Sequence, residues 1–317
     1  MYYLHKLNSL NSRSSKFFYK NSGLYLILIP LKFVRKQRLD VLLLERKLCT
    51  SRQKAQVLIR AGEVMVNQQI IDKPGTEVDL GADIKVKQKS LYVSRGGYKL
   101  AKALEYFSIS ISDRICLDSG ISTGGFTDCL LQAGAKLIYG IDVGYGQVDW
   151  NLRNDSRVIL KERTNIRYLT PEELYGDSLI LNYEPQEKTK EIYPSLAVVD
   201  VSFISLTKIL PALWELLIPP RETILLVKPQ FEVGKERVGK KGVVRSYNDQ
   251  AEAIFQVCCS ANNLGWKYAG LTWSPIQGPA GNIEYLLWLN LDSQLLVDRS
   301  AIADITKLAR QELNHSS

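Results

Sequence analysis

The feature that most constrains this chain is a rhythm of short apolar runs, each closing on polar or glycine residues. The runs span 114–118, 136–142, 196–201, 223–227 and 283–290, with helix-length stretches between several of them. Strands that alternate with helices bury both faces of one sheet, which implies a parallel, doubly wound α/β fold. In such a sheet ligands bind beyond the carboxyl ends of the strands. The residues that close each run are therefore the first candidates for chemistry.

One of these ends carries a distinctive loop. Ile115-Cys116-Leu117 closes on Asp118, and SGISTGGFTD follows. Its small residues, Gly120, Ser122, Gly124 and Gly125, let backbone amides approach a ligand at a helix N-terminus. The spacing is neither the dinucleotide GxGxxG nor a P-loop ending in GK[ST], which argues against NAD and ATP. Glycines at a strand–helix turn also serve as plain turn residues. The next run, Leu137 to Ile141, ends on Asp142. An acid at that place suits hydrogen bonding to ribose hydroxyls.

Three later strand ends carry charge: Asp200 after Leu196–Val199, Lys228 after Ile224–Val227, and Glu284 after the glycine turn 278–282. Lys99, in SRGGYKL, lies just before the sheet begins. Taken singly, each reads equally well as a solvated charge or a turn former. The chain has only two histidines, His5 and His315. That scarcity argues against a Ser-His-Asp triad, a Cys-His pair and a histidine-rich zinc site, so no metal is expected. Acid–base chemistry falls to Lys, Asp, Glu or Tyr. The five cysteines form no CxxC pair, which fits a reducing, cytosol-like compartment.

A length of 317 residues suits about two domains, and a smaller module precedes the α/β region. Asp40–Leu48 has a helical pattern, Thr50 or Ser51 caps a second helix running to Ala61, and Gly62 ends it. Short alternating segments follow near Val64–Val66, Ile70-Ile71 and Ile84–Val86. Arg38, Lys47, Arg52, Lys54 and Arg60 sit on or beside the helices, where they can grip phosphates or simply face solvent. The net charge of +8 leans toward a polyanionic partner.

These patterns resemble known families. Arg38-Leu39-Asp40, Ser51-Arg52, Ala55, Leu58-Ile59, Gly62, Val64, Val66-Asn67 and Lys73-Pro74 resemble the S4 RNA-binding domain, which implies binding to structured RNA. The glycine loop with Asp142 resembles the class I methyltransferase arrangement for S-adenosylmethionine. That likeness places Asp118, Gly120 and Gly124 near the amino-acid portion, Asp142 near the ribose and Asn165 near the adenine, with Ser122 and Gly125 in the same loop. Lys99, Asp200, Lys228 and Glu284 look like the catalytic tetrad of FtsJ-like ribose 2′-O-methyltransferases. YVSRGGYKL, LDSGISTGGFTD, DVSFISL, LVKPQFE and GNIEYLLWL resemble the TlyA (hemolysin A-like) family. The resemblance implies methylation of cytidine ribose in ribosomal RNA. Lys228 would then accept or orient the proton, with Asp200 and Glu284 as its electrostatic partners and Lys99 positioning substrate and charge.

The expected plan is a basic extension over 1–37, an S4 domain over 38–92, a methyltransferase domain over 93–293 and a terminal helix and tail over 294–317. The expected fold is a Rossmann-like methyltransferase sheet, mostly parallel with the last strand antiparallel, preceded by the small α+β S4 domain. Residues 182–194 (NYEPQEKTKEIYP) read as a polar surface insertion. The extension resembles a transit peptide, although a disordered arm or a start assigned too far upstream fits it as well. Organellar import therefore stays open beside a cytoplasmic location. A membrane-active hemolysin is the rival reading, but it needs a membrane-spanning element and no run reaches the ~20 apolar residues of a span. An RNA-binding protein with an inactive transferase domain is the second. The expected partner is ribosomal RNA or a ribosomal subunit, with no membrane.

Overall fold

In the computed structural model the described residues are 35–87, 90–176 and 192–315. The expectations for residues 1–34, and for most of the 182–194 stretch, lie outside them. The chain divides into two compact units between Lys89 and Ser90.

The first unit runs β1 (Lys36–Arg38), α1 (Leu39–Glu45), α2 (Arg52–Arg60), β2 (Val64–Val66), β3 (Gln69–Ile70), β4 (Glu77–Asp79) and β5 (Ile84–Val86). Ser51 caps α2 by accepting the Lys54 N–H at 3.1 Å. Gly62 follows with a φ of +69°, the left-handed turn that only glycine adopts cheaply. Leu39, Leu43, Ala55, Ile59 and Val64 are fully buried and join the helices to the order β3-β2-β5. Strands β1 and β4 pair separately and antiparallel. Their sequences, KQR and EVD, hold one apolar residue between them, so no alternation marks them.

The second unit opens with α3 (Gly96–Tyr106), β6 (Ile115–Ser119), α4 (Gly125–Gln132) and β7 (Leu137–Ile141). Then come α5 (Trp150–Arg153), β8 (Val158–Lys161), α6 (Pro171–Tyr175), β9 (Leu196–Val199) and α7 (Leu210–Leu216). It closes with β10 (Glu222–Val227), α8 (Pro229–Glu232), α9 (Tyr247–Leu264), β11 (Lys267–Trp273), β12 (Tyr285–Asn290) and α10 (Arg299–His315). Seven strands form one sheet in the order β11-β12-β10-β9-β6-β7-β8. Pairs β6–β7, β7–β8, β6–β9 and β9–β10 are parallel, while β12 runs antiparallel to both neighbours. The last strand is the reversed one, as expected.

Alternate residues of the central strands feed the two faces. Leu117, Ala197, Val199 and Leu225 pack with α7 and α9 on one side. Cys116, Val198, Ile224 and Leu226 pack with α3 and α4 on the other. A strand buried on both faces reads as an unbroken apolar run, which is why β9, LAVV, was easy to find. Strand β11 was missed among the apolar runs. It is an outer strand with half-exposed residues, and its register shifts between Tyr268 and Gly270.

Asp118 ends in the core rather than at its edge. Its carboxyl is fully buried. Oδ2 accepts the Thr127 hydroxyl at 2.7 Å, so the acid pins the first turn of α4 to β6, and Oδ1 has no hydrogen-bond partner. Burial pushes the carboxyl up to about 7, helped by the charge of Asp200 and opposed by the Thr127 hydroxyl. Between the ordinary 3.8 and about 7 the folded chain keeps a proton that the unfolded chain has released, so this group costs stability as pH rises. The cost begins above 3.8 and is complete above about 7. Asp118→Asn is expected to remove that loss, which approaches ~4 kcal/mol at full ionisation. Thermal melts of both proteins from acid to neutral pH check this. The variant's stability should gain on the wild type as pH rises, and parallel curves would refute the assignment.

Candidate active site

The catalytic candidates meet at one edge because strand register puts them there. Ser119 pairs with Val199, and Val199 with Leu225, so Gly120 and Asp200 emerge side by side. Val227 pairs with Tyr285, which brings Lys228 beside Glu284, since β12 is reversed and begins where β10 ends. A cavity of about 750 Å³ opens at this edge, within the ~300–1,000 Å³ typical of small-molecule sites. Gly120–Thr123, Lys99, Asp200, Lys228 and Glu284 all line it.

The four charged residues form two pairs. Lys228 Nζ lies 2.6 Å from Asp200 Oδ1 and donates to Ser202 Oγ at 2.8 Å. Lys99 Nζ lies 2.5 Å from Glu284 Oε2, and these side chains are only 13% and 3% exposed. The expectation that both carboxylates serve Lys228 is corrected here: Glu284 is held by Lys99. The cause is the approach of α3 to α4. A Cβ on Gly125 would sit 2.9 Å from the Gly97 nitrogen and 3.2 Å from Gly96 Cα. Gly125, where a Cβ would crowd Gly96 and the Gly97 nitrogen, thus lets the start of α3 lie close against α4. Lys99, one turn into α3, reaches the sheet edge. Sequence reading missed Ser202, although it stands two residues after Asp200 in DVSFIS.

The glycine loop is shaped for close backbone approach. A Cβ at Gly120, where φ is +85°, would sit 2.5 Å from the Asp200 carbonyl oxygen. Asp142 draws the loop in: Oδ2 accepts the Ser122 N–H at 2.8 Å and Oδ1 the Gly144 N–H at 2.7 Å. Two expectations change. Asp118 lies in the core, and Gly124, with φ +97°, packs where a Cβ would meet Leu152 at 2.3 Å. Neither lines the cavity. Asp118 holds Thr127 at the start of α4, while Gly120, Ser122 and Gly125 line the cavity. Asn165 lines an adjoining cavity of about 500 Å³ that shares Ser202, Phe203 and Phe231 with the first. Its side-chain oxygen accepts the Arg167 N–H at 3.1 Å. Phe203 is 91% exposed, with its ring 5.2 Å from that of Phe231.

An amide-lined turn, a glycine that admits no side chain and a nucleoside-sized space suit a small charged nucleoside. Among the described residues no group of three or more His, Cys, Asp or Glu could hold a metal ion. Among them, too, no helix is long and apolar enough to cross a membrane.

In the first unit the basic residues divide into two sets. Arg38 and Arg52 bind the fully buried carboxylate of Asp40, each at 3.0 Å, and Gln56 adds a third donor. Arg38 foremost holds that carboxyl well below the usual carboxylate range. The expectation that Arg38 and Arg52 reach for phosphate is therefore joined by an internal duty that a sequence pattern does not reveal. Lys47, Lys54 and Arg60 are exposed.

Comparison with known proteins gives the family of both units. The profile of the FtsJ-like methyltransferase family matches residues 92–291, and that of the S4 domain matches 37–84. YqxC of Bacillus subtilis, named as an rRNA methyltransferase, is 49% identical over 81% of this chain and 86% of its own. The 16S/23S rRNA (cytidine-2′-O)-methyltransferase TlyA of Mycobacterium tuberculosis is 42% identical over 88% of this chain and 98% of its own. A solved structure from Streptococcus thermophilus, named as a hemolysin, is 41% identical, covers 89% of this chain and 98% of that one, and superposes with a TM-score of 0.64. The chain belongs to the FtsJ-like methyltransferase family, in the TlyA branch that carries an S4 domain ahead of the transferase.

Proposed function

We propose that this protein methylates a cytidine ribose 2′-hydroxyl in ribosomal RNA, with its S4 unit holding structured RNA. The two lysine–carboxylate pairs at the strand ends carry this reading. S-adenosylmethionine, the methyl donor of such an enzyme, supplies an electrophilic methyl on a sulfonium; the loop of Gly120, Ser122 and Gly125, drawn in by Asp142, would hold it. Transfer is an in-line displacement: a carbon–oxygen bond forms, a carbon–sulfur bond breaks and the hydroxyl proton leaves.

This chain's residues serve the acceptor side of that step. An ammonium has three donors; Lys228 spends two on Asp200 and Ser202. Its third position is left for the acceptor oxygen: as the proton shared with Asp200 passes to that carboxylate, the amine lone pair so freed accepts the hydroxyl proton. The Lys99–Glu284 pair, beside the Lys228–Asp200 pair at the same edge, adds no net charge. Phe203, standing exposed at the mouth, offers a face on which an unpaired base can stack. An RNA substrate and five unpaired cysteines suit work in a reducing compartment such as the cytoplasm.

Lys228→Ala is expected to lower incorporation of labelled methyl into ribosomal RNA at least ~100-fold, the usual scale for a positioned proton-handling group. Its affinity for S-adenosylhomocysteine should stay within about threefold. Full activity in that variant would overturn the role.

For RNA binding the informative pair is Lys54→Glu with Arg60→Glu, because Arg52 also holds Asp40. This double variant is expected to bind ribosomal RNA more weakly. The slope of log affinity on log salt should flatten by roughly 1 to 2, as for two lost phosphate contacts. An unchanged slope would remove this face from the RNA interface.

A further inference from the structure

Just before Glu284, Asn282 spends its side chain on a distant segment. It is 3% exposed. Its Oδ1 accepts the Val244 N–H at 2.9 Å, and its Nδ2 donates to the Gly242 carbonyl at 2.8 Å. Gln250 grips the same segment from the other side. Its Nε2 donates to the Val244 carbonyl at 2.7 Å, and its Oε1 accepts the Tyr285 hydroxyl at 2.6 Å. Gly242 and Val244 are thus tied directly to Asn282, two residues before Glu284, and Val244 is also tied through Gln250 to Tyr285, the residue after it.

The tied segment is the loop 234–244, GKERVGKKGVV, which carries four exposed cations, Lys235, Arg237, Lys240 and Lys241, against one acid. Of these cations only Arg237 has an ion pair among the described residues, with Asp249 at 3.7 Å. Lys241 is held with φ +68°. That left-handed backbone costs a non-glycine residue roughly 1–2 kcal/mol and persists only where the surroundings impose it. The imposing contacts are the ties at Gly242 and Val244, together with the Gly239 N–H bonded to the Val243 carbonyl at 3.0 Å. Val238, Lys241 and Gly242 line the catalytic cavity. A cation is therefore fixed, at some cost in backbone strain, on the wall beside the Lys99–Glu284 pair.

We propose that Lys241 binds a backbone phosphate next to the acceptor nucleotide, and that Asn282 is the positioning residue that holds it over the cavity. The proposal rests on the RNA-ribose reading above. Every internal 2′-hydroxyl of an RNA strand has phosphates on both sides of its ribose. A strand that presents one to Lys228 must lay phosphates along the cavity wall. An exposed lysine without an acidic partner meets that need, and a rigid backbone beneath it reduces the freedom lost on binding.

The test uses the full chain with ribosomal subunits carrying unmodified 16S or 23S rRNA. Lys241→Gly removes the charge and suits the left-handed backbone; Lys241→Arg keeps the charge. Steady-state methyl transfer across a range of KCl concentrations gives KM and kcat, and calorimetry gives the affinity for S-adenosylhomocysteine. Lys241→Gly is expected to raise KM for the subunit roughly tenfold, with kcat within about threefold. Its salt slope should be shallower by about 0.7 to 0.9. Lys241→Arg should restore the wild-type slope. Asn282→Ala should raise KM in the same direction and speed amide exchange at Gly242 and Val244 in the free protein. If Asn282→Ala does not fold, the two Lys241 variants decide.

An unchanged salt slope in Lys241→Gly would overturn the phosphate contact. So would a loss of S-adenosylhomocysteine affinity with KM for RNA unchanged, because Lys241 would then face the cofactor. Unaltered exchange in Asn282→Ala would overturn the positioning role. If the wild type transfers no methyl to either subunit, the ribose reading itself has failed, while the exchange result still reports on the tie.

Discussion

The close approach of α3 to α4 at Gly125 is the contact on which the candidate site depends. A side chain at Gly125 would push the helices apart: its Cβ would lie 2.9 Å from the Gly97 nitrogen and 3.2 Å from Gly96 Cα. With the helices in contact, Lys99 meets Glu284 at 2.5 Å and neutralises it in a nearly closed setting. Without Lys99, Glu284 would be a carboxylate buried unpaired, a costly state. The same contact brings the glycine loop, which opens α4, beside the residues that act on the substrate.

A second constraint comes from the sheet. Parallel pairing in register delivers Gly120, Asp200 and Lys228 to one edge, and the single reversed strand delivers Glu284 there by its beginning rather than its end. The order of charged residues along the chain therefore says little about which of them touch. Lys228 takes Asp200 and Ser202 from the neighbouring strand end, and Lys99, from α3, takes Glu284. The result is two separate neutral pairs in place of one lysine with two carboxylates.

What could be read from the chain follows from these facts. Central strands such as β9 and β10, buried on both faces, announced themselves as apolar runs, and the polar residues closing them pointed to the site. Strand β11 did not, because an outer strand with a broken register has no clean period. Asp118 was placed at the cofactor from its position after an apolar run; the fold buries it one layer deeper, where it holds Thr127. Gly124 looked like a ligand-facing glycine, and its backbone also packs against Leu152, where no side chain fits. In the first unit Arg38 and Arg52 looked like surface charge, because their buried partner Asp40 lies in a helix whose sequence gives no sign of burial. Contacts between residues distant in sequence, such as Asn282 with Gly242, were beyond any local pattern.

The central claim is that the edge built by these pairs delivers a methyl group to a ribose oxygen of RNA. Its most direct test is to incubate the purified chain with isotopically labelled S-adenosylmethionine and unmodified ribosomal subunits. The RNA is then digested to nucleosides, and the labelled product is identified by mass spectrometry. The account predicts label in 2′-O-methylcytidine, with the mass gain on the sugar fragment. Label on a base fragment, or no label in either subunit's RNA, would contradict it.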